Sequence, residues 1–463
     1  MGKMAVRLTA LCCAVLLVLP LAAQQKPAPT ALKLEDLVEQ ELDSLVGAYK
    51  NLHQNPELSY EEKETAAFVA GELRKLGFEV TEKVGSYGVE GRTAYGVVAV
   101  LRNGAGPTVM VRTDLDGLPV EERTGLPYAS RAKAHIGDIE VSVMHACGHD
   151  LHMTSFLGTA RLLVRLRNQW SGTLVMIGQP AEERGNGARA MLRDGLYTRF
   201  PRPDYAVALH DAAELPAGTV GYREGYALAN VDSVDITIRG IGGHGAYPQA
   251  TKDPIVIAAE VIMALQTIVS REVSPLDSAV VTVGAIHGGT KHNLIPDEVN
   301  LQLTVRSYKP ETRKMVLASI KRITEGIAAA AGVPPQRAPI VRIDEEEFTP
   351  ATYNDPALTA RVAQVLEETF GKDNVIRTDP VMGGEDFSQY GLTGEKVPIC
   401  IFWLGAVAPE RVRAAREQGT RLPPLHSSEF APLPEPAIRT GVRAMTSVVL
   451  NLFSTPSGAE GRK

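Results

Sequence analysis

One segment decides the fold of this chain: Thr173-Leu174-Val175-Met176-Ile177-Gly178-Gln179-Pro180-Ala181-Glu182-Glu183. Its apolar half, Thr173–Ile177, is short and is followed by glycine and proline, which is typical of a strand buried in a sheet. Similar apolar segments occur at Thr108–Arg112 and Tyr205–Leu209, and helical patterns lie between the three at His149–Arg167 and Gly187–Arg193. Strand and helix taking turns in this way predict an α/β sandwich on a mostly parallel sheet.

The pattern changes near residue 225. From there the predicted order is strand, helix, strand, strand, helix and strand: Val231–Arg239, Pro254–Val269, Ala279–Ile286, Val299–Arg306, Glu311–Ala331 and Ile340–Ile343. This order indicates a smaller α+β module with a ferredoxin-like fold. We therefore predict an α/β domain formed by residues 32–224 and 343–455, interrupted by an inserted domain at 225–342. The arginine-rich segment 409–424 is predicted to be a surface loop.

The composition limits the class of protein. With 463 residues and a formal net charge of −6, and with no basic run, the chain is not expected to bind nucleic acid.

At the N-terminus, Lys3 and Arg7 precede an apolar run that extends to Ala23, which predicts a signal peptide over residues 1–23 and an exported, periplasmic or secreted protein. An uncleaved membrane anchor is the alternative. No other segment is expected to cross a bilayer, and no membrane contact is expected once the signal is removed.

A cluster of metal-ligating residue types lies between His145 and His152, in the order His145-Ala146-Cys147-Gly148-His149-Asp150-Leu151-His152. Cys147 and His149 are one residue apart, so a bent loop lets both side chains reach one ion or two adjacent ions. The alternative is a buried thiol beside structural histidines. His145 and His152 are candidates either for ligands or for residues that orient the ligands.

Carboxylates follow two of the predicted strands. Glu182 and Glu183 would repel each other at a strand end unless one binds a cation while the other serves as general base or acid; a solvated acidic turn is the alternative. Asp114 and Asp116 follow the strand Thr108–Arg112 and are either ligands, orienters of a ligand histidine, or turn carboxylates. Loops at the carboxyl ends of parallel strands meet on one edge of a sheet, where α/β enzymes place their sites.

At this point the chain resembles a known family: the dinuclear metallopeptidase and amidohydrolase superfamily of aminoacylases and glutamate carboxypeptidases, in the branch of hippurate hydrolase and the auxin–amino acid conjugate hydrolases. The matching motifs, in chain order, are Leu52–Ser59, Asp114–Pro119, His145–Asp150, Gln179–Glu183, Gly242–His244, Asp253–Ile255, Asn293–Asp297 and Gly384–Phe387.

The resemblance implies two divalent metal ions, zinc or manganese with cobalt or nickel as alternatives. By the same resemblance, the ligands would be Cys147, which would bridge the ions, together with His149, Glu183, His210 and His426. Taken alone, His210 and His426 would more often be structural histidines. Glu182 would be the general base, and Asp116 would orient the ligands without binding a metal itself. His244 and Asn293 of the inserted domain would bind the substrate.

The resemblance further implies hydrolysis of the amide bond of an N-acyl-amino acid or a small peptide with a free carboxylate, through attack by a metal-bridging hydroxide. It also implies a homodimer formed through the inserted lid domain, with His244 reaching the site from its own chain or from the partner. Three features depart from the family pattern: Gln249 replaces a usual histidine, Leu151 follows Asp150 where a small residue is usual, and the segment 409–424 is an insertion. The rival hypotheses are a catalytically silent, metal-containing protein that binds acyl-amino acids, and a dipeptidase or carboxypeptidase of the same fold.

Overall fold

The computed structural model describes residues 1–2 and 33–454. Apart from Met1 and Gly2, the predicted signal peptide lies outside the described residues. The helices are α1 Leu34–Gln54, α2 Lys63–Lys75, α3 His149–Arg165, α4 Gly187–Arg193, α5 Leu196–Arg199, α6 Pro254–Thr267, α7 Pro310–Ala330, α8 Pro356–Phe370, α9 Pro409–Gln418 and α10 Pro434–Phe453.

The strands of the described chain all lie between α2 and α9 in the sequence. They are β1 Glu79–Val84, β2 Gly96–Asn103, β3 Thr108–Asp114, β4 Lys133–Ile136, β5 Ile139–Ser142, β6 Gly172–Gln179, β7 Tyr205–Pro216, β8 Val220–Tyr222, β9 Gly225–Leu228, β10 Asn230–Arg239, β11 Gly243–His244, β12 Ala279–Gly288, β13 Leu294–Ile295, β14 Glu298–Ser307, β15 Ile340–Ile343, β16 Thr352–Asn354, β17 Val375–Arg377 and β18 Ile399–Val407.

The large sheet has eight strands in the order β1-β2-β6-β3-β7-β18-β8-β17. Its centre is parallel, because β6, β3, β7 and β18 all run in the same direction. Strand β2 pairs antiparallel with both β1 and β6, while β8 pairs antiparallel with β18 and parallel with β17. Side chains of β2 alternate between the two faces: Val97 and Ala99 join the core under α1, α3 and α10, while Val98 and Val100 join the core under α4. The predicted α/β sandwich on a mostly parallel sheet is confirmed.

A second, antiparallel sheet has the order β12-β14-β10-β15. Its strands follow one another with α6 after β10 and α7 after β14, which is the ferredoxin-like order expected from the sequence. In β14, Val299, Leu301, Leu303 and Val305 point toward the helices and are buried. We call this unit the lid. Its presence as a smaller α+β unit is confirmed, while the domain limits themselves stay predictions.

Two expectations about single elements were wrong. The segment 409–424 is not all loop, because Pro409–Gln418 forms α9: Pro409 stands in its first turn, Val412 and Ala415 pack inward at helical spacing, and Gly419 ends it at φ +64°. Strand β7 does not end at Leu209, because pairing with β18 continues through His210 and Asp211 to Pro216.

The expectation that no segment after the signal could cross a membrane is corrected by the helix Pro254–Glu272. By length and composition alone, this helix is apolar enough to cross a membrane. In the structure, Ile257, Val261 and Leu265 pack this helix into the lid core.

Candidate active site

The predicted site residues of the large sheet meet at one edge. A cavity of about 250 Å³ opens there, and its walls include Cys147, Glu182, Glu183, His210 and His426. Strand β6 ends at Gln179, three residues before Glu182, and β7 presents His210 from within the strand. The convergence of separate loops at the carboxyl ends of parallel strands, expected from the sequence, is what the fold produces.

Cys147, His149 and His210 are brought together by a tight turn before α3. Gly148, between the first two, has φ +71°, and a Cβ there would lie 2.2 Å from Asp211 Oδ2, so only glycine fits. The Cys147 Sγ atom lies 3.6 Å from His210 Nε2. One ligating atom from each of the three residues lies within 4.8 Å of the others.

Both histidines are held in the tautomer that a metal ligand needs. His149 Nδ1 donates to the Asp116 carbonyl oxygen at 2.8 Å, and His210 Nδ1 donates to the Asp211 carbonyl oxygen at 2.8 Å. With Nδ1 carrying the proton, Nε2 of each ring keeps its lone pair. Among the described residues, the buried His149 Nε2 has no hydrogen-bond partner.

Glu183 and His426 complete the cluster. His426 Nε2 lies 3.5 Å from Glu183 Oε2, and His149 Nε2 lies 3.8 Å from Glu183 Oε1. His426 has a left-handed backbone, φ +66°, and its N–H donates to the Ala146 carbonyl oxygen at 2.8 Å. Glu183 Oε1 is a second buried atom without a partner in the described chain. A thiol, three imidazoles and a carboxylate facing one space, two of them with unused buried atoms, fit divalent cations.

Without a bound cation, burial disfavours the charged forms of two of the ligand side chains. Burial raises the pKa of the Cys147 thiol well above its usual range, with the Glu183 carboxylate adding to the effect. Burial likewise raises the pKa of Glu183 to about 8. Thiolate and carboxylate ligands must be deprotonated to bind a metal, so bound cations would reverse both shifts.

Glu182 lies beside the cluster. Its Oε2 is 3.9 Å from His149 Nε2, and its side chain is 9% exposed. Burial, with further repulsion from Glu385 and Glu183, raises the pKa of Glu182 well above its usual range. A carboxyl group with a raised pKa can take up a proton and release it near neutral pH, which is what a general acid/base requires.

Asp116 contacts two of the predicted ligands, His149 and Glu183. Besides its carbonyl contact with His149, its Oδ2 accepts hydrogen bonds from Ser59 Oγ at 2.6 Å and from the Glu183 N–H at 3.0 Å. It is fully buried and lies outside the cavity wall. These contacts join Asp116 to two of the predicted ligands, His149 and Glu183, and its role in orienting them stays a prediction.

Two histidines of the 145–152 motif remain. His152 has both ring nitrogens engaged, with Nδ1 2.9 Å from Asp114 Oδ1 and Nε2 accepting from the Asp211 N–H at 2.8 Å. It therefore orients the strand that carries His210 and has no free lone pair for a metal. His145 is buried, and burial lowers its pKa to about 4, so it is neutral; neither of its nitrogens has a partner among the described residues.

His244 and Asn293 lie elsewhere. They belong to the small β11–β13 pairing of the lid, where the Gly245 N–H donates to the Asn293 carbonyl oxygen at 2.9 Å, and both are exposed. Within the described part of one chain, neither lines the cavity that contains Cys147.

Two arginines at the site, Arg306 and Arg112, were not predicted from the sequence. Arg306, on β14 of the lid, lines the cavity. Its guanidinium donates to the Met382 carbonyl oxygen at 3.0 Å and to Thr304 Oγ1 at 3.3 Å, so its hydrogen-bond partners among the described residues are neutral. The alternating pattern of β14 marks Arg306 as facing away from the lid core, but only the fold shows that this face borders the cavity. Arg112 is fully buried and binds Asp114 and Glu385 at 2.8 Å each.

Comparisons with known proteins agree with this chemistry. Residues 110–423 match the model of peptidase family M20/M25/M40. The chain is 35% identical over 415 residues to thermostable carboxypeptidase 2 of Saccharolobus solfataricus (89% of this chain and 96% of that protein). It is 38% identical over 341 residues to hippurate hydrolase of Campylobacter jejuni (73% and 82%).

A solved structure supports the same relationship. The crystal structure of a dinuclear metal binding peptidase from the M20 family of Bacillus subtilis superposes with a TM-score of 0.69 at 29% identity, covering 89% of this chain and 98% of that one. The resemblance inferred from the motifs is confirmed, and so is the expectation of an enzyme. The chain belongs to peptidase family M20/M25/M40 and is a metal-dependent hydrolase.

Proposed function

We propose that the protein is an exported amidohydrolase that cleaves N-acyl-amino acids, or small peptides with a free carboxylate, and that uses two divalent cations. The observation that carries the proposal is a single cavity in which Glu182 lies beside Cys147, Glu183 and His210, with the guanidinium of Arg306, whose partners in the described chain are neutral, contributed by the lid. Zinc or manganese suits this donor set, and cobalt or nickel are alternatives.

The protein's own residues account for the movement of protons. Bound cations would polarise the amide carbonyl and lower the pKa of water. Glu182 accepts a proton from the attacking water and delivers it to the leaving nitrogen, which its raised pKa permits. The backbone carbonyl oxygens of Asp116 and Asp211 accept hydrogen bonds from Nδ1 of His149 and of His210, which keeps both rings in their ligand tautomers throughout.

Arg306 supplies the recognition of the substrate's carboxylate. Its side chain is partly buried, and burial lowers its pKa, so a carboxylate in the cavity gives the guanidinium a partner of opposite charge. A free carboxylate on the leaving amino acid would place the scissile amide toward Glu182. The names of the relatives above, a carboxypeptidase and a hippurate hydrolase, agree with such substrates.

We also propose a homodimer through the lid. The outward face of the helix that begins at Pro254 exposes Ile255, Val256, Met263 and Val269, and the adjacent strand β12 is a free sheet edge in the described chain. Exposed apolar residues on one helix beside an unpaired strand edge favour association with a second copy. In such a dimer, His244 and Asn293 would enter the partner's cavity. Export rests on the sequence of residues 1–23.

A substrate panel tests the proposal. Hippurate, N-acetyl-methionine and an α-glutamyl dipeptide are incubated with the metal-reconstituted enzyme, with and without chelator, and the released amino acid is identified. We expect hydrolysis of at least one substrate, abolished by the chelator and restored by added metal. Binding without release of product would instead favour the silent binding protein.

A further inference from the structure

The loop between α1 and α2 supports the turn that carries Glu182. Its residue Glu62 is completely buried. One oxygen of its carboxyl group, Oε1, accepts hydrogen bonds from two backbone N–H groups, that of Tyr60 at 2.9 Å and that of Ala181 at 2.7 Å. Ala181 is the residue immediately before Glu182, so Glu62 holds the peptide between Pro180 and Ala181, at the start of the turn that carries the proposed general base.

Both residues held by this oxygen have unusual backbones. Tyr60 has φ +74° and Ala181 has φ +48°, although neither is a glycine. For an ordinary residue the left-handed region costs about 1–2 kcal/mol, so it persists only where neighbouring groups enforce it. Such strain at a residue adjoining a reactive side chain is typical of functional sites.

The turn is anchored on its other side as well. Ser59 Oγ donates to Asp116 Oδ2, and that same oxygen accepts the N–H of Glu183. The carbonyl oxygen of Ala181 accepts from the N–H groups of Asn186 and Gly187, both at 3.2 Å. The N–H groups of the two residues that flank Glu182, Ala181 and Glu183, are thus each held by a buried carboxyl group; the loop 59–62 supplies one of these carboxyl groups and donates a hydrogen bond to the other.

We propose that Glu62 is a positioning residue: by holding the Ala181 peptide in the left-handed conformation, it directs the Glu182 carboxyl group toward the reacting amide. This inference rests on the proposed role of Glu182. Glu62 is not among the residues that line the cavity. Its effect passes entirely through the backbone of Ala181.

Three variants test the proposal. Glu62→Ala removes the acceptor, and we expect kcat to fall on the order of 10- to 100-fold with KM and metal content nearly unchanged, since a small misplacement of a catalytic group has effects of that size. Glu62→Gln keeps an acceptor oxygen in place and should retain most of kcat. In the Ala181→Gly background, Glu62→Ala should lower kcat by a smaller factor than it does in the wild type, because glycine adopts positive φ without strain.

Glu57→Ala is the matched control. Glu57 belongs to the same loop, and its carboxylate accepts the N–H groups of Glu64 and Thr65 at the start of α2, away from the turn. It should lower thermal stability without lowering kcat. If Glu62→Ala keeps the wild-type kcat, or loses no more activity than Glu57→Ala at equal folded fraction, the inference is overturned.

A crystal structure of Glu62→Ala provides a readout that does not depend on activity. We expect Ala181 to leave positive φ and the Glu182 side chain to turn away from the cluster; an unchanged turn contradicts the inference. A wild-type enzyme that cleaves none of the panel substrates would refute the proposed function, while the conformation of Ala181 in the variant still decides whether Glu62 holds the turn.

Discussion

Glu182 is nearly buried among other carboxylates, and this environment defines the first prediction. Glu182→Gln removes the titratable group but keeps the shape of the side chain. We expect turnover to fall on the order of 10²-fold or more, the effect of losing a positioned acid/base, while the metal content measured by elemental analysis stays unchanged. The control is Glu214→Gln, an exposed glutamate on β7, which should keep full turnover. Full activity of Glu182→Gln would show that another group moves the proton.

His53 offers a pH prediction that is independent of the metal cluster. Its Nδ1 lies 2.6 Å from Asp150 Oδ2, and its Nε2 lies 3.2 Å from Glu122 Oε1, all three groups being buried. Burial alone would lower the pKa of His53, but hydrogen bonds to Asp150 and Glu122 raise it to about 10. The folded protein therefore binds this proton more tightly than the unfolded chain, whose histidine has a pKa near 6.5.

The sign of the effect follows from linkage. The contribution of His53 to the free energy of unfolding is complete below about pH 6.5 and is lost as pH rises toward 10, by at most about 1.4 kcal/mol per pH unit. We expect the difference in unfolding free energy between wild type and His53→Gln, measured in urea, to shrink between pH 7 and pH 10. A difference that is constant over this range would mean that His53 is neutral in the folded protein.

Some site residues could be predicted from the sequence and others could not, for a physical reason. Cys147, Glu183 and His210 lie in motifs that follow or precede elements of one parallel sheet, so local patterns already place them at one edge. Arg306 lies on another sheet, and its distance to the cavity is set by how the lid meets the large domain. Glu62 acts through a backbone conformation at Ala181, for which the sequence carries no glycine signal.

At the scale of elements, α7 is joined to β10 by a charge pair whose carboxylate is buried, unlike the pairs on the surface. Asp232 is buried on β10, and both of its carboxylate oxygens accept hydrogen bonds from Arg313 of α7. Burial raises the pKa of Asp232, and Arg313 opposes that rise. Removing the arginine leaves a buried carboxylate without its partner, the case in which ion pairs matter most.

We therefore expect Arg313→Ala to lower the free energy of unfolding of the lid by about 3 kcal/mol. Arg322→Ala, on the same helix, is the control: Arg322 is 62% exposed and pairs with Glu272 at the surface, so its loss should change stability by less than about 1 kcal/mol. Urea unfolding followed by circular dichroism measures both. Equal effects of the two substitutions would show that Asp232 is solvated or protonated once Arg313 is gone.

The elements also show where local patterns mislead. Helix α9 was predicted to be a loop because arginine and proline dominate its sequence, yet its two inward residues, Val412 and Ala415, suffice to attach it to the core. Proline favours the first turn of a helix as much as it prevents later turns. In contrast, α4 and β15 have the predicted bounds, because each has a sharp apolar pattern between clear breakers.

At the scale of the whole molecule, the inserted lid has two roles in one unit. Its β14 brings Arg306 to the cavity, while its helix and edge strand present an apolar surface on the outside. Because His244 and Asn293 lie away from their own chain's cavity, substrate recognition and assembly are linked if the dimer forms as proposed. Substitutions at the dimer surface should then change turnover, although they do not alter the metal ligands.

Met263→Glu tests this link. Met263 is 72% exposed on the outward face of α6, so a charge there should leave the monomer folded while opposing burial against a second copy. Light scattering after size-exclusion chromatography should show a dimer for the wild type and a monomer for the variant, with unchanged metal content and reduced turnover. Leu392→Glu is the control, because Leu392 is 61% exposed on the large domain, and it should stay dimeric and active. A wild-type monomer with full turnover would contradict the dimer, and a fully active Met263→Glu monomer would assign His244 and Asn293 no role across the interface.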